Sequence, residues 1–111
     1  MPDQPPGFAV ATEDLGGRLH LVPRGELDLA TAPELERVLT DRLSGETPVV
    51  LDLRELAFMD STGVRSLVTA RRLSADGGTE LTIVRPDPSS PVSRVLDIAG
   101  IAEQLGMVDA P

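Results

Sequence analysis

Val49-Val50-Leu51-Asp52-Leu53 is a short, nearly continuous apolar run that opens on β-branched residues. Such a run suits a strand covered on both faces, as in parallel sheets with helices packed against them. The segment before it reads as a helix. Thr31 and Glu34 have capping-box spacing, Pro33 fits a first helical turn, and Leu35, Val38, Leu39 and Leu43 recur at helical spacing with Glu36, Arg37 and Asp41 off the stripe. The pattern predicts a helix over 31–43, ended by Gly45. After the apolar run, a second helix opens near Asp60-Ser61-Thr62-Gly63 and reaches about Ser74. Its stripe is Val64, Leu67, Val68 and Arg71, and Gly77-Gly78 stops it. Leu81 to Val84 is the next buried strand.

Upstream, Phe8 to Thr12 alternates weakly as a first strand, Leu15-Gly16-Gly17-Arg18 is a hairpin turn, and Leu19 to Val22 is an antiparallel second strand. Downstream, Arg85 to Pro91 carries three prolines and reads as a loop. Val92, Val95, Leu96 and Ala99 form a third helical stripe that stops at Gly100, and Ile101 to Leu105 is expected as a short last helix. Strand–strand–helix–strand–helix–strand–helix is a mixed α/β fold, since each helix follows a strand and must cover a sheet face. The expectation is a mixed sheet of about four to five strands with three to four helices. Residues 8–108 form one domain between a Pro-rich flexible tail over 1–7 and a frayed end over 109–111.

Composition narrows the function. The chain has 111 residues, a net charge of −8, no cysteine, and only Phe8 and Phe58 as aromatics. Phosphate backbones and anionic membranes attract positive protein surfaces, so neither nucleic acid nor membrane is expected as a partner. Base-stacking platforms need rings that this chain lacks. Without cysteine there is no disulfide, thiol catalysis or thiolate metal site. His20 has no companions of the kind a metal or catalytic site requires. The N-terminal residues have neither the basic start nor the apolar centre of a signal peptide, and no apolar run approaches the ~18 residues of a membrane span, which makes the cytoplasm the expected compartment. No nucleophile–base pair, phosphate-binding glycine loop or carboxylate pair with a cleft signature is present. The reading is a binding module, not an enzyme, with no cofactor and no metal.

Phe58-Met59-Asp60-Ser61-Thr62-Gly63 lies where a strand gives way to a helix, the edge at which open α/β sheets place functional groups. Asp60 and Ser61 both suit a helix cap. A phosphate on a serine there is expected to meet free N–H groups and the positive end of the helix dipole.

These segments, taken together, resemble the STAS-domain anti-sigma-factor antagonist family. The matching pieces are Gly25-Glu26-Leu27-Asp28 with its following helix, Val49 to Leu53, Phe58 to Gly63, Gly77-Gly78 before a strand, and Val95-Leu96-Asp97 through Gly100-Ile101. They occur in family order over about Phe8 to Val108. The resemblance implies a phosphorylated serine at Ser61 and a cognate anti-sigma-factor kinase with a histidine-kinase-like ATP-binding fold. It implies that the unphosphorylated antagonist binds this kinase and frees a sigma factor, and that a serine phosphatase restores the active form. Asp28, Asp60, Thr62, Gly63 and Arg65 are the expected partner-binding residues. Val64-Arg65 stands where relatives usually have Leu-Gly, and an arginine there has the charge to pair with phosphate or an acidic partner. The alternative is a STAS subunit of a transport or signalling assembly that is never phosphorylated.

Overall fold

A computed structural model of the chain describes residues 7–111; the expected N-terminal tail, up to residue 6, lies outside them. β1 (Phe8–Leu15) and β2 (Arg18–Leu27) form an antiparallel hairpin, with Phe8 opposite Gly25 and Leu15 opposite Arg18. Gly16 and Gly17 hold φ of 62° and 81°, the left-handed pair that a two-residue turn requires to match strand twist.

Both strands run beyond the limits read from sequence. β2 continues through Pro23 because its second edge is shared by two short parallel partners. β3 (Val49–Asp52) pairs with Leu19–Leu21, and β4 (Leu56–Met59) pairs with Gly25–Leu27. Pro23 falls in the gap between them, where that edge of β2 has no partner strand to bond. β4 itself was not foreseen as a separate strand. The step from β3 to β4 is made by Asp52, whose Oδ1 accepts from the Arg54 backbone N–H (3.0 Å) while Oδ2 holds the Arg54 Nη2 at 2.7 Å. The Leu56 N–H then donates to the Leu53 carbonyl at 3.3 Å. β5 (Leu81–Val84) pairs in parallel with the other edge of β3, from Val49 opposite Leu81 to Asp52 opposite Val84. The sheet therefore has five strands ordered β1-β2-β3-β5, with β4 also on β2.

Three helices pack against this sheet: α1 (Ala32–Arg42), α2 (Ser61–Gly77) and α3 (Pro91–Ala99). The element order is β-β-α-β-β-α-β-α, the expected mixed α/β architecture. α1 buries Leu35 and Leu39, as its spacing predicts. Its capping box does not form. The Thr31 hydroxyl makes no bond to the helix and donates instead to the Glu26 carbonyl at 2.7 Å. Of the predicted α2 stripe, Leu67 is buried and Val64 packs partly against the core, but the inward face is turned toward Gly63, Ser66, Ala70 and Ser74, and Val68 is 46% exposed. Small residues line this face because α2 packs on α1 as well as on the strands, and the Ser66 hydroxyl bonds Glu36 Oε2 across the two helices at 2.7 Å. Arg71 is no stripe residue; its guanidinium bonds the carbonyls of Leu81 and Leu105 at 3.0 and 2.5 Å.

α3 buries Val92 and Leu96 but leaves Ala99 exposed. The helix expected over 101–105 is instead a run of turns, with the Leu105 N–H on the Ile101 carbonyl at 3.0 Å. Val108, the last residue of the expected domain, lies parallel to Val84. Its N–H donates to Ile83 at 2.9 Å and its carbonyl accepts from Arg85 at 2.8 Å, which blunts the outer edge of β5. Arg85 also pairs with Asp109 at 3.0 Å.

Asp52 is 7% exposed. Burial alone pushes its carboxyl up, but the side-chain and backbone bonds from Arg54, the Arg54 charge and a smaller contribution from His20 together hold it below its ordinary value. A carboxyl depressed in the folded state stabilises the fold above the unfolded pKa of about 3.9, and that stability drains as pH falls through the lower folded value. Asp52→Asn is expected to lower stability at neutral pH by about 1 kcal/mol, the net scale of a charged hydrogen bond with a half-exposed partner. In denaturant titrations at several pH values it should also flatten the loss of stability below about pH 4. An unchanged acid limb would show that Asp52 does not set it.

Candidate functional site

The carboxyl ends of β2 and β4 lie side by side. Leu27 pairs with Met59, and the Asp60 N–H donates to the Leu27 carbonyl at 3.2 Å. This register brings the Asp28 loop and the start of α2 to one edge of the sheet, although the two segments are more than 30 residues apart in sequence. Asp28 and Asp60 are both half-buried, and both carboxylates are engaged locally. Asp28 Oδ1 accepts from the Ala30 and Thr31 N–H groups at 3.0 and 3.2 Å. Asp60 is the N-cap of α2, with Oδ1 accepting from Thr62 N–H at 2.8 Å and Gly63 N–H at 3.4 Å.

Ser61 is the first residue of α2 and is exposed. Among the described residues its hydroxyl has no hydrogen-bond partner. Thr62 is half-buried and Arg65 is exposed. Gly63 is buried and faces inward: a Cβ there would run into Met59 Cγ and stand 2.8 Å from its Sδ and 3.0 Å from Leu27 Cδ2. Gly63 thus serves the site by letting α2 approach β2 and β4 closely.

The N–H groups expected to be free at this helix end are not all free. Asp60 already accepts from two of them and adds a negative charge beside Ser61. The helix end alone is therefore a poor receptor for a further anion.

A shallow apolar groove of about 310 Å³ opens beside Ser61, lined by Ser61, Val64, Val95, Ile98 and Ala99. Ile98 is 81% exposed on its rim, and Leu29, in the loop after Asp28, is 78% exposed. Sequence reasoning missed both. The available signal was Ile98 lying off the Val92–Leu96 stripe of its helix. A larger depression of about 530 Å³ lies at the ends of β3 and β5 between Arg54, Arg85, Asp87 and Asp109. Its arginines are already paired with Asp52 and Asp109. Among the described residues no group of three or more His, Cys, Asp or Glu side chains could hold a metal ion, and no helix is long and apolar enough to cross a membrane.

A Gly63→Ala substitution tests the close approach. Alanine is the better helix former by about 1 kcal/mol, so an open position would gain stability. Here the added methyl meets the inner part of the Met59 side chain, and overpacking of this kind costs about 1–3 kcal/mol. A net loss of stability in chemical denaturation is expected; a gain would refute the packing.

The chain is 35% identical over 80 residues to the anti-sigma-B factor antagonist of Staphylococcus aureus (strain NCTC 8325 / PS 47), spanning 71% of this chain and 72% of that relative. An anti-sigma factor antagonist from Mycobacterium paratuberculosis superposes with a TM-score of 0.81 at 23% identity, over 96% of this chain and 91% of that one. The anti-sigma factor antagonist SpoIIAA in its unphosphorylated form superposes at 0.72 with 22% identity, over 93% and 89% of the two chains. The Bacillus SpoIIAA structure in the phosphorylated form gives 0.64. These solved structures share the fold. The family model for the STAS domain matches residues 9–109; the chain belongs to the STAS-domain family that includes the anti-sigma-factor antagonists.

Proposed function

We propose that this protein is an anti-sigma-factor antagonist, a cytoplasmic binding module without turnover of its own. Unphosphorylated, it binds a cognate anti-sigma-factor kinase with a histidine-kinase-like ATP-binding fold and so releases a sigma factor. The kinase modifies Ser61: the Oγ bonds the γ-phosphorus of ATP, the hydroxyl proton leaves, and ADP departs. A serine phosphatase hydrolyses the ester and returns the chain to its binding form.

The observation that carries this reading is the exposed Ser61 hydroxyl at the start of α2, without a hydrogen-bond partner among the described residues and beside an apolar groove. A partner kinase can reach that oxygen without unfolding anything. Ile98 and Leu29 give the surrounding surface the apolar area a protein partner covers. Asp28, Asp60, Thr62 and Arg65 flank Ser61 in sequence or across the paired strand ends, which suits the partner-contact role proposed for them; Gly63 contributes by fixing the position of α2.

A phosphate adds about −1.5 to −2 charge at neutral pH. Set against a docked partner it brings repulsion and desolvation, and a 100- to 1000-fold loss of affinity requires about 2.8–4.1 kcal/mol. Incubation with a candidate kinase and ATP, followed by mapping of the added phosphate, should find it on Ser61. It should be lost in Ser61→Ala and largely retained in Thr62→Val. Phosphate on Thr62 or Ser66 would overturn the assignment. Binding of the modified chain to the kinase should fall at least 100-fold while circular dichroism stays native; binding lost only in proportion to unfolding would place the switch in the fold.

ATP hydrolysis should vanish as the kinase is removed. ATPase activity that persists in the pure chain and disappears in Asp28→Ala or Asp60→Ala would make the protein an enzyme.

A further inference from the structure

The proposed switch leaves open what receives the phosphate on the antagonist itself. The helix end is a poor receptor, because Asp60 Oδ1 already accepts from the Thr62 and Gly63 N–H groups. A dianion on Ser61 would also stand next to the Asp60 carboxylate, so a compensating cation is needed nearby. All ten basic residues of the chain are arginines, and most are already engaged. Arg24, Arg37, Arg42, Arg54 and Arg85 lie in ion pairs. Arg18 bonds Thr82 and the Pro111 carbonyl, and Arg71 bonds two backbone carbonyls. Arg65, Arg72 and Arg94 have no side-chain hydrogen bond or ion pair among the described residues; of the three, Arg65 stands nearest Ser61 along the chain, on the same helix, and is exposed.

Arg65 also has the right position. It follows Ser61 by four residues on α2, so the two side chains lie on one face of the helix, one turn apart, with Cβ atoms about 5–6 Å from each other. An acidic group N-terminal to a basic one at this spacing is the favourable order. Guanidinium matches phosphate oxygens with two parallel donors.

We infer that Arg65 is the intramolecular receptor of a phosphate on Ser61, a positioning residue that partly neutralises the dianion and turns it along α2. The inference rests on Ser61 being the modified residue in the proposed function. In the unmodified chain the guanidinium stays open to solvent or to an approaching partner; in the modified chain it closes on the phosphate. Phosphorylation would thus add a negative charge and withdraw a positive one in the same event.

The test installs phosphoserine at position 61 by directed incorporation, so its outcome does not depend on any kinase. The second pKa of the phosphate is then followed by phosphorus NMR in the otherwise unchanged chain, in Arg65→Gln, in Arg65→Lys, and in Arg72→Gln as a control. Arg72 likewise has no side-chain bond among the described residues but lies about 16 Å from Ser61 along the helix. Arg65→Gln should raise this pKa by about 0.2–0.4 unit at low salt. Arg65→Lys should restore at least half of the difference, Arg72→Gln should leave it unchanged, and the shift should shrink in high salt. In thermal melts the phosphate should destabilise Arg65→Gln more than the parent, while the two unmodified chains melt alike. An Arg65→Gln titration identical to the parent, or a lysine that behaves like glutamine, would overturn the proposal. Failure of a kinase to modify Ser61 would instead count against the proposed function and leave this result standing.

Discussion

β2 is the strand on which the rest of the molecule is registered. One of its edges carries β1 along nearly its whole length, and the other is divided between β3 and β4. A parallel strand cannot reach its neighbour by a tight turn, so α1 must carry the chain back before β3 can pair. The β3–β4 break then lets one strand of β2 direct two chain segments. Leu27 opposite Met59 is the consequence that matters, since it fixes where α2 begins and what stands beside its first residue. A slip of one residue would turn Met59 out of the core and expose it, which its complete burial forbids.

The start of α2 is held from three directions, and none of them uses Ser61. Asp60 caps the helix from the strand side, Gly63 presses against Met59 and Leu27 from below, and Ser66 is bonded to Glu36 on the neighbouring helix. These contacts set the backbone while leaving the Ser61 hydroxyl outside the network. Burial and cap hydrogen bonds belong to the scaffold; the exposed face of the first turn is left to recognition. A rigid element presenting an unconstrained group is how functional residues are positioned without weakening the fold that holds them.

The fold was legible in the sequence wherever hydrophobic period and turn chemistry agreed. Leu35 and Leu39 are buried as their spacing requires, and Gly16-Gly17 makes the hairpin. Phe58 to Gly63 was readable as a strand-to-helix edge because Asp60 and Ser61 are cap residues. β4 was not readable, since no Gly or Pro separates Val49–Leu53 from Leu56–Met59; the turn is built by a carboxylate–guanidinium contact that carries no local propensity. The inward face of α2 was misjudged for a related reason. A search for large apolar side chains selects Val68, whereas a helix packed on another helix buries Ser66 and Ala70. The bridge from Val108 to Val84 was not readable either, because a single bridging residue leaves no period to detect.

The surface around Ser61 combines two features that stability alone does not select. Ile98 and Leu29 expose large aliphatic side chains, and Arg65 has no ion pair among the described residues of a chain whose net charge is −8. With 18 carboxylates against ten arginines, pairing that guanidinium would have been easy, as it is for the five arginines in ion pairs. Exposed pairs contribute little to stability, so leaving one unmade costs the fold almost nothing. An open cation and open apolar surface next to a free hydroxyl are more informative for that reason. They are groups whose partners lie outside the chain, or arrive with a modification of it.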